Sequence, residues 1–248
     1  MIILKSHDEI ERMAVAGRIV AEVLEEIRSI VAPDVTTLDL DKFAESYIKS
    51  KGATPAFKGY RGFPASVCTS VNEQVVHGIP SSERLREGDI ISLDIGVYYN
   101  GFYGDAALTL TVGKVSNVAK KLLSVTEKSL YLGIEKAVAG NRLFDISSAI
   151  QNHAESEGFA VVRSFVGHGI GRELHEDPQL PNYGRQGEGP MLKEGMTLAI
   201  EPMVNAGTWD VEILDDGWTA VTKDKNLSAH FEHTVAITSN GPVILTKI

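Results

Sequence analysis

The chain has 248 residues, 43% of them hydrophobic and 23% charged, with a formal net charge of -9. That composition supports a large core, excludes the basic footprint of a nucleic-acid binder, and contains no window long and apolar enough for a transmembrane span. A single cysteine, Cys68, rules out an intrachain disulfide and a thiolate zinc cluster. With no signal-peptide core in MIILKSHDEIERM, a cytoplasmic location is expected.

Ser6 and Glu9 have capping-box spacing, and Ile10, Met13, Gly17, Val20, Leu24, Ile27 and Val31 then recur at helical spacing until Pro33. A second helix is predicted over 38–50, stopped by Gly52. Glycines and prolines make the stretch from Pro55 loop-like, and Ser66 to His77 reads as a strand or hairpin edge. Taken alone, a histidine such as His77, between an apolar run and Gly78, is more often structural than catalytic.

Residues 85–110, LREGDIISLDIGVYYNGFYGDAALTL, form two alternating runs around Asn100-Gly101. Asn-Gly supplies the two positive-φ positions of a tight hairpin. Partner positions then sum to 201, so Gly96 faces Asp105 and Asp94 faces Ala107. Asp94 and Asp105 fall on one face, among Ile91, Leu93, Ile95, Leu108 and Leu110. Two acids there are costly to bury without a cation, although exposed strand carboxylates would need none.

Helices are predicted over about 116–137 and 143–157, then a strand over 161–166, with glycines giving freedom around His168. A glycine-rich loop follows at 184–190, and strands at 196–204, 218–223, 229–238 and 243–245. A weak duplication runs through the chain. LREGDIISLD ends at Asp94 and LKEGMTLAIE ends at Glu201, an offset of 107, while Asp39/Asp145 and Gly52/Gly158 lie 106 apart. Each unit reads helix, helix, strand, strand, and two such units can cover one sheet pseudo-symmetrically. Asp94 and Glu201 become equivalent, and Glu232 lies on the second unit's closing strand as Asp105 does on the first. Converging carboxylates cannot all ionise without compensation, and a divalent metal is the natural one. With His168 they make an oxygen-rich donor set suited to manganese, iron(II), cobalt or zinc, with room for two ions roughly 3.5–4 Å apart.

SLDIGVYYNGFYGDAA, FVGHGIGRELHEDP, LAIEPMV and SAHFEHTVAIT together resemble the metal motifs of type I methionine aminopeptidases over nearly the whole chain. The resemblance implies an α+β pita-bread fold, a pseudo-two-fold repeat of helix-helix-strand-strand units around a central antiparallel sheet. It implies one catalytic domain, 1–248, with halves of about 1–112 and 113–248. The implied activity is hydrolytic removal of the initiator methionine when the second residue is small. The implied metal ligands are Asp94 on one ion, His168 and Glu201 on the other, and Asp105 and Glu232 bridging. Glu201 is also the implied proton shuttle, His175 the group at the carbonyl oxygen, and His77 the group at the peptide nitrogen or the backbone near the scissile bond, which reverses the structural reading of His77. Tyr60, Phe63, Cys68 and Trp218 are implied around the methionine side chain, with Phe57 and Leu174 beside them. Asn72 and Ser228 are candidates for a monovalent cation. Implied partners are nascent N-termini and a transient ribosome contact, with no nucleic acid and no membrane, for a monomer.

Two rivals share the motifs. An Xaa-Pro aminopeptidase or prolidase shares the ligands but carries a large N-terminal domain, for which there is no room before the first helix. A type II enzyme carries an insertion in its second half, whereas His168 and Glu201 are only 33 residues apart. A silent binding protein of the same fold would have lost ligands. No H-E-x-x-H, G-x-S-x-G or P-loop pattern occurs.

Overall fold

A computed structural model describes residues 1–247. Helix α1 (His7–Ile30) starts on the expected capping box, in which Ser6 and Glu9 satisfy each other's backbone amides. Helix α2 (Thr37–Ser50) starts on a second one, Thr36 with Asp39. After the bridge strand β1 (Thr54–Pro55), β2 (Cys68–Val71) and β3 (Gln74–Val76) are separated by a reversal at Asn72-Glu73. The expected hairpin is β4 (Ile90–Tyr99) and β5 (Phe102–Thr111). Its register is as read: Asp94 opposes Ala107 and Gly96 opposes Asp105. Asn100 and Gly101 have φ of 47° and 90°, the left-handed pair the turn demands.

Helix α1 lies directly on β5 because glycine meets glycine. A Cβ on Gly104 would fall 2.7 Å from the Gly17 nitrogen, and one on Gly17 would fall 2.4 Å from the Leu245 carbonyl oxygen. Ile19, Val23, Ile27, Leu40 and Ile48 then bury against Leu93, Ile95 and Val97. At about 25 cal/mol per Å² of apolar area, that burial is the main stabilising force of this half.

The second half repeats the plan with helices α3 (Asn117–Ile134) and α4 (Leu143–Ser156). Its strands are β6 (Ala160–Val161), β7 (Gly167–Gly169), β8 (Glu176–Leu180), β9 (Thr197–Ile200), β10 (Met203–Asn205), β11 (Val211–Ile213), β12 (Ala220–Thr222), β13 (Ser228–His230), β14 (His233–Thr238) and β15 (Gly241–Ile244). The order β15-β14-β9-β7-β8 forms a five-stranded antiparallel sheet against which Leu122, Leu130, Ile146 and Ile150 pack.

Three strand expectations change. The run 161–166 is strand only at Ala160–Val161, because Arg163, Ser164 and Phe165 bend away. The run 196–204 breaks at Glu201-Pro202, where proline has no N–H for a ladder, so β9 and β10 join different sheets. The run 229–238 breaks at Phe231-Glu232 into β13 and β14, because the Phe231 amide turns to the Pro202 carbonyl and the Glu232 amide to that of Ala107. The halves are joined at that second break: Glu232 and Ala107 exchange backbone hydrogen bonds of 2.8 and 3.4 Å. Beside them, the Thr234 hydroxyl bridges the amide and carbonyl of Asp105 at 3.0 and 2.8 Å. Among the described residues no helix is long and apolar enough to cross a membrane.

Candidate metal centre and active site

Each of the five expected ligands is placed by a strand. Asp94 and Asp105 stand inside β4 and β5, which pair with each other. His168 is central in β7, opposite Ala199 of β9. Glu201 directly follows β9 and Glu232 directly precedes β14; these strands pair, with His233 opposite Ile200. The two strand breaks therefore set two carboxylates side by side at the seam between the halves.

All five line one cavity of about 140 Å³ together with His77, His175, Tyr60, Phe63, Cys68, Trp218, Phe57 and Leu174. Asp105, His168 and Glu232 each offer a ligand atom within 4.8 Å of the others. The donor set fits a divalent cation by its unmet polar atoms. Asp94 Oδ1, Asp105 Oδ1 and Glu232 Oε1 are buried with no hydrogen-bond partner. His168 Nδ1 lies 2.9 Å from the Gly169 carbonyl oxygen, which requires the proton on Nδ1 and leaves the Nε2 lone pair free. That lone pair faces Glu201 Oε1 at 3.5 Å. A cation between them satisfies the imidazole lone pair and an ionised Glu201 together.

Electrostatics agree. Burial raises the pKa of Asp94 to about 7. Burial also lifts Asp105, Glu201 and Glu232 well above the usual carboxylate range, and the neighbouring carboxylates add to it. Burial lowers His168 to about 4 and His230 to about 3, so both imidazoles are neutral at pH 7. Protons and metal compete for such a cluster.

The apolar wall is one hydrophobic cluster, with Phe57, Phe63, Cys68 and Leu174 buried and Tyr60 and Trp218 packed on them. Phe63 meets Trp218 edge-on, with centroids 5.2 Å apart. Cys68 lies opposite Asp94 in the β2–β4 ladder, which sets the apolar slot directly beside the carboxylates. Gly96 makes room for Phe57, since a Cβ there would come within 2.6 Å of its ring. His77 has φ of 60°, a strained left-handed backbone for a residue with a side chain. It is packed edge-on against Phe165 and Trp218, 5.4 and 6.3 Å between centroids. Trp218 comes from the second half, and the β3–β12 pairing brings it to His77. His175 stacks on Tyr60, its Nδ1 2.9 Å from the tyrosine hydroxyl and its ring 4.2 Å from that of His168. Its packing into the cavity lowers its pKa, with His168, Arg61 and His77 adding to the effect.

Asn72 and Ser228 also meet: the Ser228 amide donates to the Asn72 carbonyl at 2.9 Å. The Asn72 side chain is engaged at both ends, with Asp89 at 2.9 Å and the Ile90 amide at 3.1 Å. Sequence reasoning missed three residues of the site. Arg61 lines the cavity from a short 3-10 turn. Asn182 holds the Glu201 carbonyl at 3.0 Å. His230 sits beside two of the expected ligands, Glu201 and Glu232. Only His230 had a readable signal, its alternation with Glu232 in SAHFEHT.

The sequence profile of metallopeptidase family M24 matches residues 11–239. The methionine aminopeptidase of Clostridium perfringens is 58% identical over the full length of both chains. The chain belongs to the methionine aminopeptidases of metallopeptidase family M24. The crystal structure of methionine aminopeptidase from Thermotoga maritima superposes with a TM-score of 0.98 at 51% identity, covering all of both chains. The fold of this M24 chain is accordingly the α+β pita-bread fold. A prolidase from Pyrococcus furiosus shares that fold at a TM-score of 0.78, with 24% identity over 99% of this chain and 66% of the prolidase.

Proposed function

We propose that this M24 peptidase removes the initiator methionine from newly made proteins whose second residue is small. The observation that carries this reading is the shared cavity: five metal-type ligands, two imidazoles and an apolar slot meet in about 140 Å³, room for one side chain. A thioether is apolar and polarisable and suits a slot walled by Tyr60, Phe63, Cys68 and Trp218.

In this reading Asp94 would hold one divalent ion, His168 and Glu201 would hold a second, and Asp105 and Glu232 would serve both. Two such ions, whether manganese, iron(II), cobalt or zinc, supply Lewis acidity toward the scissile carbonyl and a lowered pKa for water. The chain's own groups do the rest. With the Tyr60 hydroxyl donating to Nδ1, His175 carries its proton on Nε2 and can donate to the carbonyl oxygen as negative charge develops there. His77, from the opposite wall, meets the peptide nitrogen. Glu201 takes a proton from the attacking water on a carboxylate oxygen and returns it to the departing amine.

The ligands come from both halves, which supports a single catalytic domain with halves of about 1–112 and 113–248. A monomer that contacts the ribosome transiently is proposed on the same family ground. The test is hydrolysis of Met-Ala-Ser and of Ala-Pro peptides by protein stripped of metal and reloaded with each ion in turn. Metal-dependent release of methionine, with Ala-Pro intact, is expected. Cleavage of Ala-Pro would make the chain a prolidase-type enzyme, and metal binding without cleavage of either would make it a silent relative.

A further inference from the structure

His230 has no task in the mechanism, yet it stands inside the centre. It ends β13, two residues before Glu232, with 1% of its surface exposed. Its backbone is clamped by the other half of the molecule. The amide donates to Thr109 Oγ1 at 2.9 Å, and the same hydroxyl donates to the His230 carbonyl at 2.8 Å. Thr109 is itself held, since its only hydroxyl proton is used there and Ser92 Oγ must donate to it at 2.9 Å. The ring is thus anchored to β4 and β5, the strands of Asp94 and Asp105.

Nε2 of this ring is buried without a hydrogen-bond partner. Leaving such an atom unmet costs about 1–3 kcal/mol. Two carboxylate oxygens lie near it, Glu201 Oε2 at 3.8 Å and Glu232 Oε2 at 4.0 Å. Glu201 is bracketed as a result, with Oε1 toward His168 Nε2 at 3.5 Å and Oε2 toward His230. A carboxylate on a metal needs its free oxygen held, or it swings between coordination modes, and such supporting groups carry much of a site's affinity.

We propose that His230 is a positioning residue of the metal centre: when a cation is bound, its Nε2–H closes onto Glu201 Oε2 and so keeps Oε1 turned toward His168 and the cation. The inference rests on the reading of Glu201 and His168 as metal ligands. Its test is calorimetric titration of manganese into metal-stripped wild type, His230→Leu, His230→Gln and His230→Asn, with thermal unfolding of each as a check on the fold. His230→Leu is expected to weaken one manganese site by about 10–100-fold. Its kcat on Met-Ala-Ser should fall while KM holds. His230→Gln keeps an N–H within reach and should restore both to within a few-fold, whereas His230→Asn, one methylene shorter, should not. If the leucine variant does not fold, the comparison of glutamine with asparagine decides. Equal manganese affinity and kcat across the four proteins would overturn the role of His230 while leaving the metal centre standing. A wild type that takes up no manganese would overturn the metal reading, and this inference with it.

Discussion

Lys5 and Glu176 form an ion pair with side chains only 2% and 4% exposed. Lys5 belongs to the segment before α1, whose amide donates to the Gly195 carbonyl at 2.7 Å. Glu176 follows His175, and its Oε1 also accepts the amides of Arg172 and Glu173 at 2.8 and 3.3 Å. Lys5→Met strands a buried carboxylate and Glu176→Gln strands a buried ammonium. Removing one partner of a buried pair costs roughly 3–5 kcal/mol, because the other charge stays desolvated. In a protein of this size 1 kcal/mol moves Tm by about 2–4 °C, so each single variant should melt roughly 10 °C lower. The double variant Lys5→Met/Glu176→Gln leaves no charge buried and should recover most of that loss. Scanning calorimetry of the four proteins gives the coupling directly. kcat should fall in both single variants, since Glu176 orders the turn that carries His175. A loss under about 1 kcal/mol in the singles is the behaviour of an exposed pair. That result, or a double variant as unstable as the two losses added, would refute the argument.

Metal removal should reverse the usual pH trend. Above about pH 7.5 the unfolded chain keeps few protons on its histidines, whose ordinary value is near 6.5, while folded Asp94 still titrates near 7 and burial lifts Asp105, Glu201 and Glu232 well above the carboxylate range. The folded state then holds more protons, so stripped protein should lose stability as pH rises from about 7.5 to 8.5. Metal-loaded protein should not, and melts across that range would show both. Tyr60→Phe removes the partner that sets the His175 tautomer, and should lower kcat about tenfold with little change in KM, as measured by methionine release. His175→Ala removes the donor itself and should cost about 10²–10³-fold in kcat in the same assay. Gly96→Ala drives a methyl into Phe57, and should cost about 1–3 kcal/mol by chemical denaturation while raising KM for methionine peptides.

The hairpin was legible because one dipeptide dictates its geometry: Asn100-Gly101 sets the turn, the turn sets the register, and the register sets Asp94 and Asp105 on one face. Glu201 followed from the duplication, because an offset carries one half's chemistry onto the other. What failed was continuity. Apolar runs at 196–204 and 229–238 read as single strands, yet each changes sheet at its glutamate, and periodicity does not record which sheet a residue joins. Strand β8, EDPQL, gave no signal because it lies at a sheet edge, where proline and charge are tolerated. Arg61 and Asn182 belong to the site through packing alone, which leaves no local pattern, and His230 was marked only by its alternation with Glu232.

The seam between the halves also governs when the enzyme comes into being. The Thr234 hydroxyl reaches the backbone of Asp105 across 129 positions of sequence. Contacts of that range carry the largest loop-closure entropy and close slowly, after helices and hairpins that need only their neighbours. The centre is built on this late contact, so binding of a cation reports the end of folding rather than its progress. A half-made chain can possess four helices and a finished hairpin and still be chemically inert. A cation site that draws on Asp105, His168 and Glu232 is therefore incomplete until Glu232 has been synthesised and has found Ala107.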